Sequence, residues 1–111
     1  MIGIDVSKLK TGTTILLATT SYAYEIVVEK KGCLIIIGGD FREPAIVRLI
    51  GSFNDDKTGK LDWIGKDMRI MFIAPKGKSV QTTPVVSAKL IGPNKEWELE
   101  VWDESASATN E

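Results

Sequence analysis

The sequence predicts an all-β fold, and three observations carry that prediction. Two stretches alternate apolar and polar residues with a period of two, YAYEIVVE (22–29) and WELEVW (97–102). Short apolar runs are divided by tight-turn signals, KKG (30–32), PKGK (75–78) and PNKE (93–96). No stretch carries a sustained 3.6-residue apolar period of the kind an amphipathic helix needs.

The elements follow in order. TTILLA (13–18) is rich in Thr and Ile and reads as the first strand. In YAYEIVVE, Tyr22, Tyr24, Ile26 and Val28 share one face, and Ala23, Glu25, Val27 and Glu29 the other. KKG closes a hairpin, with Gly32 in the left-handed position, and CLIIIG (33–38) returns. REP (42–44) is expected to interrupt the pattern, because Pro44 lacks the donor a central strand uses. AIVRLIGSF (45–53) resumes it, and NDDKTGK (54–60) is a polar loop. LDWIGKDM (61–68) reads as either a short helical turn from Asp62 or a bent strand around Gly65. RIMFIA (69–74), a PKGK turn, a long bent strand TPVVSAKLIG (83–92), a PNKE turn and WELEVW complete the domain. The low-hydrophobicity end DESASATNE (103–111) reads as a disordered acidic, Ser-rich tail after a single domain over 1–102.

Six to seven short antiparallel strands in a chain this small suggest a closed or partly open β-barrel of the SH3-like or OB-like kind. Glycines at 38, 39, 51, 65 and 92 fall within or at the ends of apolar runs, where bulges and barrel corners use them.

Composition narrows the chemistry. Histidine is absent, so Ser-His-Asp and Cys-His catalysis and histidine-ligated metal are excluded within this chain. Cys33 is the only cysteine, so no internal disulfide forms. A net charge of −1 gives no overall electrostatic case for nucleic acid or membrane. No signal-peptide pattern opens the sequence and no apolar run reaches membrane-spanning length, so a cytoplasmic protein without cofactor is the expectation.

Several motifs suggest chemistry and fail on spacing. GGDF (38–41) could cradle an anion, but a turn or bulge explains it without a ligand. Gly77-Lys78-Ser79 is the end of a P-loop signature whose earlier glycine is replaced by Phe72. Asn54, Asp56, Thr58 and Asp62 follow calcium-loop spacing, but Gly65 stands where the bidentate glutamate belongs, so a solvated hairpin loop is preferred. Asp40 with Glu43, or Asp62 with Asp67, could form a carboxylate pair only inside a cleft, and an enzyme is not expected. Arg48, Arg69 and Lys89 lie on strands and, beside exposed aromatics, would suit single-stranded nucleic acid. Tyr24, Phe72 and Trp97 lie on apolar faces and read more simply as core. RIMFIAPKGKSV (69–80) is similar to the strand–turn–strand of the carbon-storage regulator family of small RNA-binding β proteins. The likeness ends there: QTTPV stands where that family carries a basic segment, and no family is assigned.

The most informative stretch is CLIIIG. Cys33, Ile35 and Ile37 point one way and Leu34 and Ile36 the other, and both sets are apolar. One interior takes one set; the other requires cover. Covering Leu34 and Ile36 alone is worth roughly 3–6 kcal/mol. The expectation is a homo-oligomer, most simply a dimer, meeting near Val27, Leu34 and Ile36, with the N-terminal MIGIDV arm or the 61–68 segment as rival covers. The functional expectation is a non-catalytic binding or assembly module; single-stranded nucleic-acid binding is the alternative.

Overall fold

The computed structural model describes residues 2–30 and 32–103. The tail expected from residue 103 onward therefore lies outside the described residues, apart from Asp103, which ends a strand. Eleven strands occur in the described residues: β1 (Gly3–Asp5), β2 (Thr14–Thr19), β3 (Ala23–Lys30), β4 (Cys33–Gly38), β5 (Phe41–Phe53), β6 (Gly59–Leu61), β7 (Trp63–Gly65), β8 (Arg69–Ile73), β9 (Ser79–Gln81), β10 (Val85–Ile91) and β11 (Glu98–Asp103). The only helical pieces among these residues are three-residue 3-10 turns, so the all-β expectation holds. No helix among them is long and apolar enough to cross a membrane.

The strand count departs from six or seven because β1, β6, β7 and β9 have only three residues each. A period of two cannot be read over so short a span. The main sheet runs β11-β10-β2-β3-β4-β5-β8-β9, with β6 also on β5, and β1 pairs with β7 in a separate ribbon. Every ladder is antiparallel. The ladders end at β11 and β9 and do not close into a barrel.

Pro44 does not break the chain as expected. Strand β5 continues through it for 13 residues. The register shifts between the pairs Ile36↔Ala45 and Gly38↔Phe41, and Pro44 falls in that irregularity. A bulge is one of the places where a sheet tolerates a missing N–H. Within the 61–68 segment Trp63–Gly65 forms the short strand β7, flanked by turns, and no helical turn starts at Asp62. Asp62 has a left-handed φ of 56°, and Trp63–Gly65 pairs with the N-terminal arm. The Ser52 hydroxyl donates to the Trp63 carbonyl and accepts from the Gly65 N–H at 2.9 Å, tying β7 to β5. Strands β3 and β4 pair as the expected hairpin, with Gly32 at φ +79°.

One buried cluster draws side chains from Ile4 to Trp102. Tyr24, Ile26 and Val28 of β3 meet Gly38, Ile36 and Leu34 of β4 across the ladder, and Val47 and Leu49 of β5 continue the same interior face. Tyr24 and Phe72 are core as expected, but Trp97 is 42% exposed. Its indole covers Gly92, close to the PNKE turn. An irregularity between Ala88 and Lys89 offsets β11 against β10, and Trp102 is the buried aromatic of that strand.

This arrangement corrects the expected interface. Leu34 and Ile36 are fully buried inside the chain's own core. Val27 pairs with Ile35 and faces the opposite way, so Val27, Leu34 and Ile36 do not form one surface. The hairpin register decides it: even-numbered residues of β4 face even-numbered residues of β3, and that face of β3 holds its large apolar side chains.

Candidate functional site

Strand β4 is apolar on both faces, and on its outer face Ile37 is exposed while Cys33 and Ile35 are half-buried. Ile35 lies directly between Val27 of β3 and Ile46 of β5. Ile37, two residues along, pairs with Glu25, which pairs in turn with Leu16 of β2 and through it with Lys89 of β10. These partners share the outer surface because directly paired residues project to the same side. Ile46 is 65% exposed, Ile37 38% and Leu16 36%. They do not belong to the buried cluster. Neighbouring exposed isoleucines on one sheet face form a patch, which carries more meaning than scattered single residues.

The surface is grooved. A depression of about 460 Å³ is lined by Leu16, Ala18, Ala23, Glu25, Ile37 and Gly38, with Tyr24 at its wall. A second, of about 410 Å³, continues from Leu16 and Glu25 toward Ile91, Asn94 and Lys95. Burial, with smaller contributions from the Asp40 and Tyr22 charges, raises the Tyr24 phenol above its ordinary value. Charges sit at the edges of the isoleucines. Glu25 flanks Ile37, and Arg48 pairs with Cys33 at the other end of β4. Both are exposed, and neither has an ion-pair partner among the described residues.

The three basic residues considered for nucleic acid do not come together. Arg48 is on β5 and Arg69 on neighbouring β8, while Lys89 on β10 is separated from β5 by β2, β3 and β4 along the sheet. Arg69 donates to Asp55 at 3.0 Å, and Lys89 contacts Glu98 at 2.7 Å. The hydrogen bond from Lys89 holds the Glu98 carboxyl below its usual value, and Glu98 raises Lys89. Arg69 lines a cleft of about 520 Å³ with Phe53, Lys57 and Gln81, where the Asp55 carboxylate already faces it. Phosphate would have to displace a carboxylate at two of the three positions.

The 54–62 loop is satisfied internally. Asp56 accepts from the Thr58 N–H at 3.0 Å and hydroxyl at 2.6 Å, and Asn54 Nδ2 donates to Thr58 Oγ1 at 3.2 Å. Asp62 leaves the loop, its N–H bonded to the Ile50 carbonyl. Among the described residues no group of three or more acids and cysteine stands together as a metal set. The Asp56 carboxyl is held below its usual value first by the Thr58 hydroxyl. A lowered folded pKa stabilises above the unfolded value, near 3.8, and that contribution is lost as pH falls through the folded one. In Thr58→Val, Asp56 followed by NMR titration is expected to move back up; an unchanged titration would show that the hydroxyl is not the cause.

The remaining motifs resolve as structure. Gly38 ends β4 and Gly39 with Asp40 makes the β4–β5 turn, with the Tyr24 ring against Gly39. Gly77 ends the β8–β9 turn, where Ala74 N–H bonds to the Lys78 carbonyl at 2.7 Å. Asp40, Glu43, Asp62 and Asp67 are all exposed. Sequence reasoning missed Ile35, Ile37, Ile46 and Leu16 as surface residues. The available signal was the β3–β4 hairpin register, which sets Ile35 beside Val27 and Ile37 beside Glu25; Ile46 and Leu16 join them only through the ladders of β5 and β2.

No protein-family model, curated protein or solved structure matches the chain.

Proposed function

We propose that the protein is a non-catalytic binding or assembly module that associates with a second copy of itself through the outer face of β2 to β5. One observation carries this reading: the row Ile46–Ile35–Val27, with Ile37 and Leu16 beside it, is apolar surface in which Ile46, Ile37 and Leu16 are exposed and Ile35 and Val27 half-buried. Burying such surface is worth about 25 cal/mol per Å². An apolar centre with charges of both signs at its rim is also the usual anatomy of a subunit interface.

The same reading takes residues 1–102 as one folding unit, because one buried cluster spans Ile4 to Trp102. It also takes the sheet as a partly open barrel. Support comes from three backbone hydrogen bonds outside the ladders: Thr82 to Ile70, Val85 to Met68 and Asp67 to Val85. They lay the chain between β9 and β10 along β8, and β10 then pairs with β2.

The test is molar mass. Sedimentation equilibrium is expected to give a mass rising from 12.2 kDa toward twice that value with concentration. Ile46→Glu, at the most exposed of these isoleucines, is expected to hold it at the monomer. A wild-type monomer at high micromolar concentration would remove the reading.

A further inference from the structure

The exposed face also specifies how two copies meet, an inference that rests on the self-association just proposed. From Ile35, a step of two residues up β4 reaches Ile37, whose partner on β3 is Glu25. A step of two residues down reaches Cys33, whose partner on β5 is Arg48. Glu25 and Arg48 are therefore equally and oppositely displaced from Ile35, each by about 4.8 Å across the sheet and about 6.8 Å along it. One is an acid and the other a base, and both lack an ion-pair partner among the described residues.

We propose that the dimer is isologous, with its two-fold axis lying in the interface at Ile35, and that Glu25 of each copy pairs with the partner's Arg48. An axis perpendicular to the Glu25–Arg48 line exchanges the two positions, so a single contact is made twice, as a two-fold interface requires. The same axis sets Ile46 of one copy near the partner's Ile37, joining two of the most exposed apolar side chains of this face. The strands of the two sheets then cross at roughly 70°, nearer to orthogonal than to aligned sheet packing. The two ion pairs fix register and orientation, while the isoleucines supply most of the driving force.

Charge reversal tests this. Glu25→Arg and Arg48→Glu each place two like-charged contacts in the dimer, so each is expected to weaken association about tenfold or more. The double variant, Glu25→Arg with Arg48→Glu, restores opposite charges and is expected to recover most of the wild-type association. Urea midpoints of the four proteins at low concentration confirm that each is folded. If the wild type dimerises but the single variants associate normally, or the double variant does not recover, this pairing is overturned and self-association stands. If the wild type does not dimerise at all, both fail together.

Discussion

Leu34→Ala lowers the unfolding free energy by about 2–5 kcal/mol, while Ile35→Ala, one residue along the same strand, changes that of the dilute monomer by less than about 1 kcal/mol. Leu34 is fully enclosed, between Val28 and Val47 across its ladders. Its truncation removes buried methyl groups and leaves a cavity that β3 and β5 cannot readily collapse into. Ile35 projects outward between Val27 and Ile46, and its truncation leaves no hole in the core. At high concentration the order of effects is expected to change: Ile35→Ala would weaken the proposed self-association and Leu34→Ala would not. Urea unfolding at low concentration, with an unchanged slope, measures the first comparison. An equal loss for both would mean that the two faces of β4 are equally enclosed within one chain.

Gly38→Ala is expected to destabilise by about 2 kcal/mol or more. Gly38 has φ +120°, where a side chain is strained whatever the space around it. A Cβ there would also lie 2.3 Å from the Ala23 carbonyl oxygen and 3.0 Å from the Tyr24 Cα. Those are backbone atoms of the paired strand β3, which can yield only by separating the ladder. Gly32→Ala is the matched control. Its φ is +79°, but nothing lies within 4 Å of the added atom, so the backbone term of about 1–2 kcal/mol acts alone. Equal midpoints for the two variants would show that close approach of β3 and β4 plays no part.

The all-β character was legible because β3 alternates clearly and because the turns at Gly32, Gly77 and Pro93 carry their conformational demands in the residues themselves. Core positions in β3 were legible for the same reason, whereas β8 is apolar at consecutive positions and its sequence does not alternate. The three-residue strands were not, since β1 and β7 hold together through pairing with each other and through buried Ile4 and Ile64, residues distant in sequence. Pro44 misled because a bulge removes the need for its donor, and a bulge depends on the partner strand.

The candidate site was half legible. That CLIIIG is apolar front and back is a property of the sequence alone. Which face turns inward is not, because Leu34 and Ile36 resemble Ile35 and Ile37 in chemistry. The choice depends on which residues of β3 they oppose, and Glu25 against Ile26 settles it. The acid goes outward, and it takes Ile37 and Val27 with it. Glu25 and Arg48 flank the apolar row, but no sequence spacing links them. Their relation exists only across three paired strands.

In the proposed dimer β4 is buried on one side by its own chain and on the other by a second copy. Isoleucine methyl NMR over a dilution series tests it residue by residue. The Ile35, Ile37 and Ile46 methyl signals are expected to shift together with concentration while those of Ile26 and Ile36 stay fixed. Signals of Ile35, Ile37 and Ile46 that do not move from micromolar to millimolar concentration would contradict it.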